Sequence, residues 1–266
     1  MHASACLTAL LLAIAPPLHA FPTDVAAPVR DYIEANRRSD PELLARAFHP
    51  SALMYWLEKD GHVASRTQAE WRKQMSAATA PPRFEQKIAA VDRRGDAAVV
   101  TVAGTLDGQP LTDLMLLMKL EGEWRIVGKV FTRAPLPERP DTQAAAAIRA
   151  LVADKLRSDR SFSGAELMAT QHPRAMFFNL DREQLVAVSA QEWAARFEHR
   201  RRNGSALRPL EQDIGPTVAI GDIGYARWTV SWSGGSRITD YALLLREGGR
   251  WYMLNTAYVA DVRDPQ

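Results

Sequence analysis

The chain has 266 residues, 47% of them hydrophobic and 24% charged, with 33 basic residues against 31 acidic ones. That apolar content excludes a disordered chain, and the length suits two small packed domains. A net charge of +2 argues against a nucleic-acid partner, and the single cysteine, Cys6, excludes a disulfide framework.

At the start, Leu7 to Leu18 forms a short apolar run ending in Pro16-Pro17-Leu18-His19-Ala20. This pattern predicts a secretory signal over residues 1–20, cleaved before Phe21, and hence a periplasmic or secreted protein. No other apolar run approaches the length needed to cross a bilayer, so no membrane span is expected.

Ala27 to Arg38 places Val29, Tyr32 and Ile33 at helical spacing, with Pro28 in the first turn. Asp40 caps a second short helix that Pro41 opens and His49-Pro50 ends. Ala52 to Leu57 reads as a strand, Lys59-Asp60-Gly61 as a turn, and Thr67 with Glu70 as a capping box for a third helix carrying Trp71 and Met75. After Pro81-Pro82 the pattern becomes four strands, Phe84 to Val91, Ala97 to Leu106, Leu111 to Leu120 and Trp124 to Thr132, joined at Gly95, Asp107-Gly108 and Glu121-Gly122. Helices followed by a meander predict an α+β domain, with helices on a curved antiparallel sheet and a pocket between the layers.

The order then recurs. Thr67-Gln-Ala-Glu70-Trp71 returns as Ser189-Ala-Gln-Glu192-Trp193, His49-Pro50 as His172-Pro173, and Asp113-Leu-Met-Leu-Leu-Met-Lys119 as Asp240-Tyr-Ala-Leu-Leu-Leu-Arg246. A period of this size is that of a whole domain. The expected organisation is a first domain over 21–133, a proline-rich linker over 134–141 and a second domain over 142–266. Second-half helices are expected at Thr142 to Arg157, Ala165 to Thr170 and Ala190 to Arg202. Its strands are expected near Ala175 to Leu180, Leu207 to Ile214, Tyr225 to Ser233, Arg237 to Arg246 and Arg250 to Val262. The cluster His199-Arg200-Arg201-Arg202 reads as a solvated last helical turn before Asn203-Gly204.

Phe48-His49-Pro50-x-Ala52, Gly95-Asp96-Ala97-Ala98, the Asp113 to Lys119 run and Gly122-Glu-Trp124-Arg-Ile126-Val-Gly-Lys129 resemble the "putative lumazine-binding" branch of the nuclear transport factor 2-like superfamily. The likeness covers most of the first half and is looser in the second, where Thr256 stands for Lys129 and Arg182-Glu183 for Asp60-Gly61. It implies two cone-shaped, cystatin-like domains with apolar cavities. Because many relatives pair through their sheets, it also implies a monomer acting as an intramolecular pseudo-dimer. The superfamily holds enzymes and binding proteins alike, so fold alone does not choose between them.

Candidate site residues follow from polar or aromatic positions inside apolar runs. Asp113, repeated as Asp240, is either a cavity carboxylate able to act as general acid or base, or a strand residue paired with Lys129. His49 is either a proton partner or a turn residue. Tyr55 and Trp56 alternate along a strand, so one faces the cavity, and Met115 and Phe177 are expected on cavity walls. Four histidines outside the presumed signal, His49, His62, His172 and His199, show no ligand spacing, and no phosphate loop or nucleophile elbow occurs. Neither metal nor cofactor is therefore expected.

Three functions stay open. The leading one is an exported, non-catalytic protein binding a small apolar or aromatic ligand. The second is a cofactor-independent lyase, isomerase or hydrolase using Asp113, His49 and Tyr55. The third is a structural, partner-binding duplication with filled cores.

Overall fold

The structure is a computed structural model that describes residues 24–77, 82–205 and 208–260. The expected signal, residues 1–20, lies outside them.

In the first domain, helix α1 (Ala27–Arg38) ends where Ser39 adopts a left-handed conformation and its N–H returns to the last turn. Asp40 then caps α2 (Pro41–Ala47) by accepting from the amides of Glu42 and Leu43. Strand β1 (Phe48–Leu57) starts four residues before the expected Ala52. Pro50 is tolerated there because the β1 pairing is irregular between Phe48 and Leu53. A return strand β2 (Val63–Thr67) runs directly into α3 (Gln68–Ser76), whose capping box of Thr67 and Glu70 is complete. The meander β3 (Phe84–Arg94), β4 (Ala97–Leu106), β5 (Gln109–Leu120) and β6 (Glu123–Thr132) follows. The sheet order is β2-β1-β6-β5-β4-β3, antiparallel except where β1 lies parallel to β6.

The second domain repeats this with α4 (Thr142–Ser161), α5 (Gly164–Met168), β7 (Gln171–Asp181), β8 (Gln184–Ser189), α6 (Ala190–Arg202), β9 (Pro209–Ile220), β10 (Ile223–Trp232), β11 (Arg237–Glu247) and β12 (Arg250–Ala260), in sheet order β8-β7-β12-β11-β10-β9. Strand β7 starts four residues before the expected Ala175, as β1 does in the first domain, and three further segments differ from expectation. Strand β8 was not anticipated, because the turn before it places Arg182 and Glu183 at positive φ, where glycine or asparagine is the usual signal. Strand β9 continues six residues past Ile214, because an irregularity between Ala226 and Trp228 on β10 absorbs Gly215-Pro216. Helix α4 runs four residues past Arg157, which brings Asp159 onto it.

Strands β5 and β11 are buried on both faces, which is why their sequences lose the polar alternation of a half-exposed strand. Met115 and Leu117 pack under the helices of the first domain, with Tyr32, Phe48 and Met75. Leu114, Leu116 and Met118 point the other way and join Tyr241, Leu243 and Leu245 of the second sheet in one shared apolar cluster. Each Leu or Met fully buried there contributes about 1.5–3 kcal/mol relative to exposure. Around this cluster Arg227 pairs with Asp92 at 3.2 Å, and Tyr241 donates to Asp92 at 3.0 Å. Gly128 makes close approach possible, since a Cβ there would fall 1.8 Å from the Asn255 amide nitrogen.

Candidate functional site

In the first domain, α1 and α3 stand off the concave face of the sheet and leave a cavity of about 320 Å³. Its walls are aromatic. Tyr32, Phe48 and Trp71 form an edge-to-face trio with centroids 5.7–5.9 Å apart, while Trp56 stacks on Phe131 at 5.5 Å. Of the trio, Tyr32 and Trp71 line the cavity together with Trp56, Phe131 and Phe84.

At the floor lies a closed polar set. The Tyr32 hydroxyl donates to Asp113 Oδ2 at 2.7 Å and accepts from Lys129 Nζ at 2.8 Å. Gln86 donates to the same carboxylate oxygen at 2.8 Å. Lys129 also lies 2.9 Å from Asp113 Oδ1 as an ion pair, although its approach fails the directionality of a hydrogen bond. The strand register explains the meeting. Asp113 faces Phe131 and Met115 faces Lys129, so the acid and the base are diagonal neighbours on one face. A bulge that skips Val127 sets that register.

Of the ion pair, Lys129 lines the cavity, whereas Asp113 is fully buried and does not. Its ammonium lies 4.8 Å from the ring centroids of Tyr32, Trp71 and Phe131. Burial lowers its pKa, and Asp113 opposes that shift. Burial and the Asp113 charge push the Tyr32 hydroxyl well above its ordinary range, so it stays protonated as a donor. Arg66, over the Trp56 ring at 5.1 Å, and the exposed Arg133 add positive charge near the mouth. The one acid on the lining, Asp107, accepts from the Arg83 amide at 2.9 Å.

Other residues singled out from sequence fall elsewhere. Tyr55 is on the opposite face of β1 from Trp56. It belongs to the cluster between the sheets and donates to the Arg174 carbonyl at 2.8 Å, so it is no partner of Asp113. His49 accepts from the Ser51 amide at 3.1 Å, and burial followed by Arg125 lowers its pKa; it does not line the cavity. Met115 is packed core beneath the helices and does not line the cavity. Trp56 lines it, and Asp240 and Phe177 line a second pocket of about 160 Å³ in the second domain.

Sequence reading missed Tyr32 and Gln86, which come from elements remote from Asp113 in the chain. It also missed Lys155 and Asp159, a buried pair at 2.8 Å on α4. Their signal was present in the helical period, since Ile148, Val152 and Lys155 follow one buried stripe.

The profile of a protein family described as "Putative lumazine-binding" matches residues 22–132 and again residues 143–259. The chain belongs to that family and carries its domain twice, each copy an α+β fold of helices on a six-stranded sheet. No curated protein matches the chain. Similar solved structures include an NTF2-like protein of unknown function from Shewanella baltica OS155, 22% identical over 41% of this chain and 89% of that one, with a TM-score of 0.38. Another, from Silicibacter pomeroyi DSS-3, is 26% identical over 41% of this chain and 91% of that one, with a TM-score of 0.36. A domain of unknown function with a cystatin-like fold from Nostoc punctiforme PCC 73102 is 13% identical over 44% of this chain and 77% of that one, with a TM-score of 0.39.

Proposed function

We propose that this tandem member of the family is an exported, non-catalytic binding protein whose first-domain cavity takes a small, flat aromatic ligand bearing an acidic or strongly hydrogen-bond-accepting edge. One observation carries the reading: an aromatic cavity whose lining includes the buried Lys129 together with Arg66 and Arg133. Aromatic walls favour a flat apolar body, and three lining cations, Lys129, Arg66 and Arg133, against one lining acid, Asp107, favour an electron-rich edge. The lumazine of the family's description has this chemistry and is a natural first probe.

Catalysis finds less support. Asp113 is held by Tyr32, Gln86 and Lys129 with no exposure to the cavity, and neither His49 nor Tyr55 reaches it. A general base must reach the proton it removes. The purely structural reading, with cores filled by Trp56, Met115 and Met118, conflicts with the open volume. Met118 lies between the sheets and Met115 under the helices.

The shared apolar cluster supports a monomer that acts as its own pseudo-dimer, since each sheet covers the face the other would expose. The apolar run from Leu7 to Leu18 supports export to the periplasm or medium.

Native mass spectrometry of the protein from its own host tests the binding reading, together with titration of lumazine against the tryptophan fluorescence, to which Trp56 and Trp71 of the cavity contribute. A discrete bound mass, or saturable quenching that Lys129→Met weakens, is the expected result. An empty chain that neither lumazine nor 2-naphthoate quenches would overturn it. The same spectrum reads the oligomeric state and the mature N-terminus.

A further inference from the structure

The second domain keeps the buried carboxylate of the first but not the groups that hold it. Asp240 faces Tyr258 and Ala242 faces Thr256, just as Asp113 faces Phe131 and Met115 faces Lys129. Thr256 therefore occupies the place of Lys129, and its buried hydroxyl has no hydrogen-bond partner among the described residues. Glu85-Gln86-Lys87-Ile88 returns as Glu211-Gln212-Asp213-Ile214. Gln212, however, turns away to the Leu156 carbonyl at 3.3 Å and to Arg160. Among the described residues none donates a hydrogen bond to Asp240, which is only 6% exposed and borders the second pocket. A buried carboxylate in that state is costly until something positive or donating reaches it.

The nearby cations are otherwise engaged. Lys155 directs its ammonium to both oxygens of Asp159, at 2.8 and 3.1 Å. Arg200 lies half-exposed at the pocket edge with its guanidinium 5.9 Å from the Phe162 ring, and the exposed Arg196 covers the outside of Trp193 at 5.4 Å.

The first domain shows what fits such a gap. There the Lys129 ammonium sits 2.9 Å from Asp113 and 4.8 Å from the rings of Trp71 and Phe131. Their counterparts, Trp193 after the second capping box and Tyr258 opposite Asp240, lie 5.4 Å apart and line the second pocket with that carboxylate. Phe177, Phe197 and Trp232 complete an aromatic enclosure.

We infer that the second-domain pocket binds a small organic cation, an alkylammonium whose charged head takes between Trp193, Tyr258 and Asp240 the place that Lys129 fills in the first domain. Ring faces and an ionised carboxylate both favour a cation, and the enclosure strips the water that would screen it. A pocket of about 160 Å³ suits a short aliphatic amine better than a polycyclic one. The site is separate from the first-domain cavity and stands whether or not that cavity binds an aromatic ligand.

Binding is coupled to protons. Lys155 of α4 favours an ionised Asp240, and its ion-pair partner Asp159 opposes that less strongly; Arg196 and Arg200 of α6 lie toward solvent, and Tyr258 of β12 is a neutral phenol. Asp240 is thus the group whose ionisation decides the balance, and burial pushes its pKa up to about 7. Affinity for a cation should fall about tenfold per pH unit below that value.

The test is calorimetric titration of the full chain with n-butylammonium, the analogue of a lysine side chain, and with n-butanol as its neutral counterpart, while NMR follows the Trp193 indole N–H. Above the Asp240 transition, butylammonium should bind saturably, move the Trp193 signal and exceed butanol by about tenfold or more, as expected of a desolvated cation on aromatic faces. Asp240→Asn should remove that preference. Thr256→Lys should abolish binding by placing an internal ammonium in the site, and it keeps the test decisive if the first variant fails to fold. Absence of saturable binding, equal affinity for butanol, or binding unchanged by Thr256→Lys would overturn the inference.

Discussion

Replacing Asp240 by asparagine should remove this acid's contribution to the pH dependence of the second domain's stability. The side chain is buried at the pocket wall, and burial raises its pKa from 3.8 to about 7, against the opposing attraction of Lys155. A folded-state pKa raised above the unfolded value means that the native state holds the proton more tightly. The contribution to stability is therefore complete below about pH 4 and is lost as the pH rises to about 7. A shift of about three units, at about 1.4 kcal/mol each, amounts to about 4 kcal/mol over that interval. Asparagine has the shape of the protonated acid and cannot ionise, so it keeps the acidic-side stability throughout. Urea unfolding of both proteins at several pH values measures the difference, with titrations common to both cancelling. The stability gap in favour of Asp240→Asn should widen by about 4 kcal/mol between pH 4 and 7 and then stay level. A gap constant across that range would refute the argument, because it would mean that Asp240 titrates alike in the folded and unfolded chain.

Lys129→Met should destabilise the first domain by about 3–5 kcal/mol, since it strands the Asp113 charge in the core. The double variant Lys129→Met with Asp113→Leu should recover much of that loss in the same urea measurement, and failure to recover would argue that the pair is held for more than charge balance. Gly128→Ala should cost about 1–3 kcal/mol by overpacking, because its new methyl would meet the Asn255 amide at the contact between the two sheets. Adding Asn255→Ala should relieve it, and independent costs in a double-mutant cycle would sink the idea. Tyr55→Phe should cost about 1 kcal/mol in thermal unfolding through the lost bond to the Arg174 carbonyl, with lumazine quenching unchanged. Altered quenching would return Tyr55 to the cavity.

Much of the framework was legible because it depends on local chemistry. The caps at Asp40, Thr67 and Ser189 mark helix starts through bonds made within three residues, and the glycine turns at Gly95 and Gly122 mark hairpins through their positive φ. Strand β8 escaped notice for the same reason, since its turn uses Arg182 and Glu183. The site was legible only in part. Asp113 announced itself as a charge in an apolar run with Lys129 as one expected partner, but Tyr32 and Gln86 lie 81 and 27 residues away in the chain. Tyr55 could not be assigned a side, because alternation fixes that neighbours face opposite ways and leaves open which face is the cavity.

The sequence by itself determined that this chain is one α+β fold written twice, with an acid at the same strand position in both copies, because those features follow from period, caps and turns along the backbone. Tertiary structure decided what each acid became. A bulge at Val127 and the approach of α1 close Lys129 and Tyr32 over Asp113, whereas Thr256 and a Lys155 already claimed by Asp159 leave Asp240 open to its pocket. The physical reason is that a buried charge is governed by whichever groups come within a few ångströms of it, and that distance is set by register and packing rather than by position in the chain.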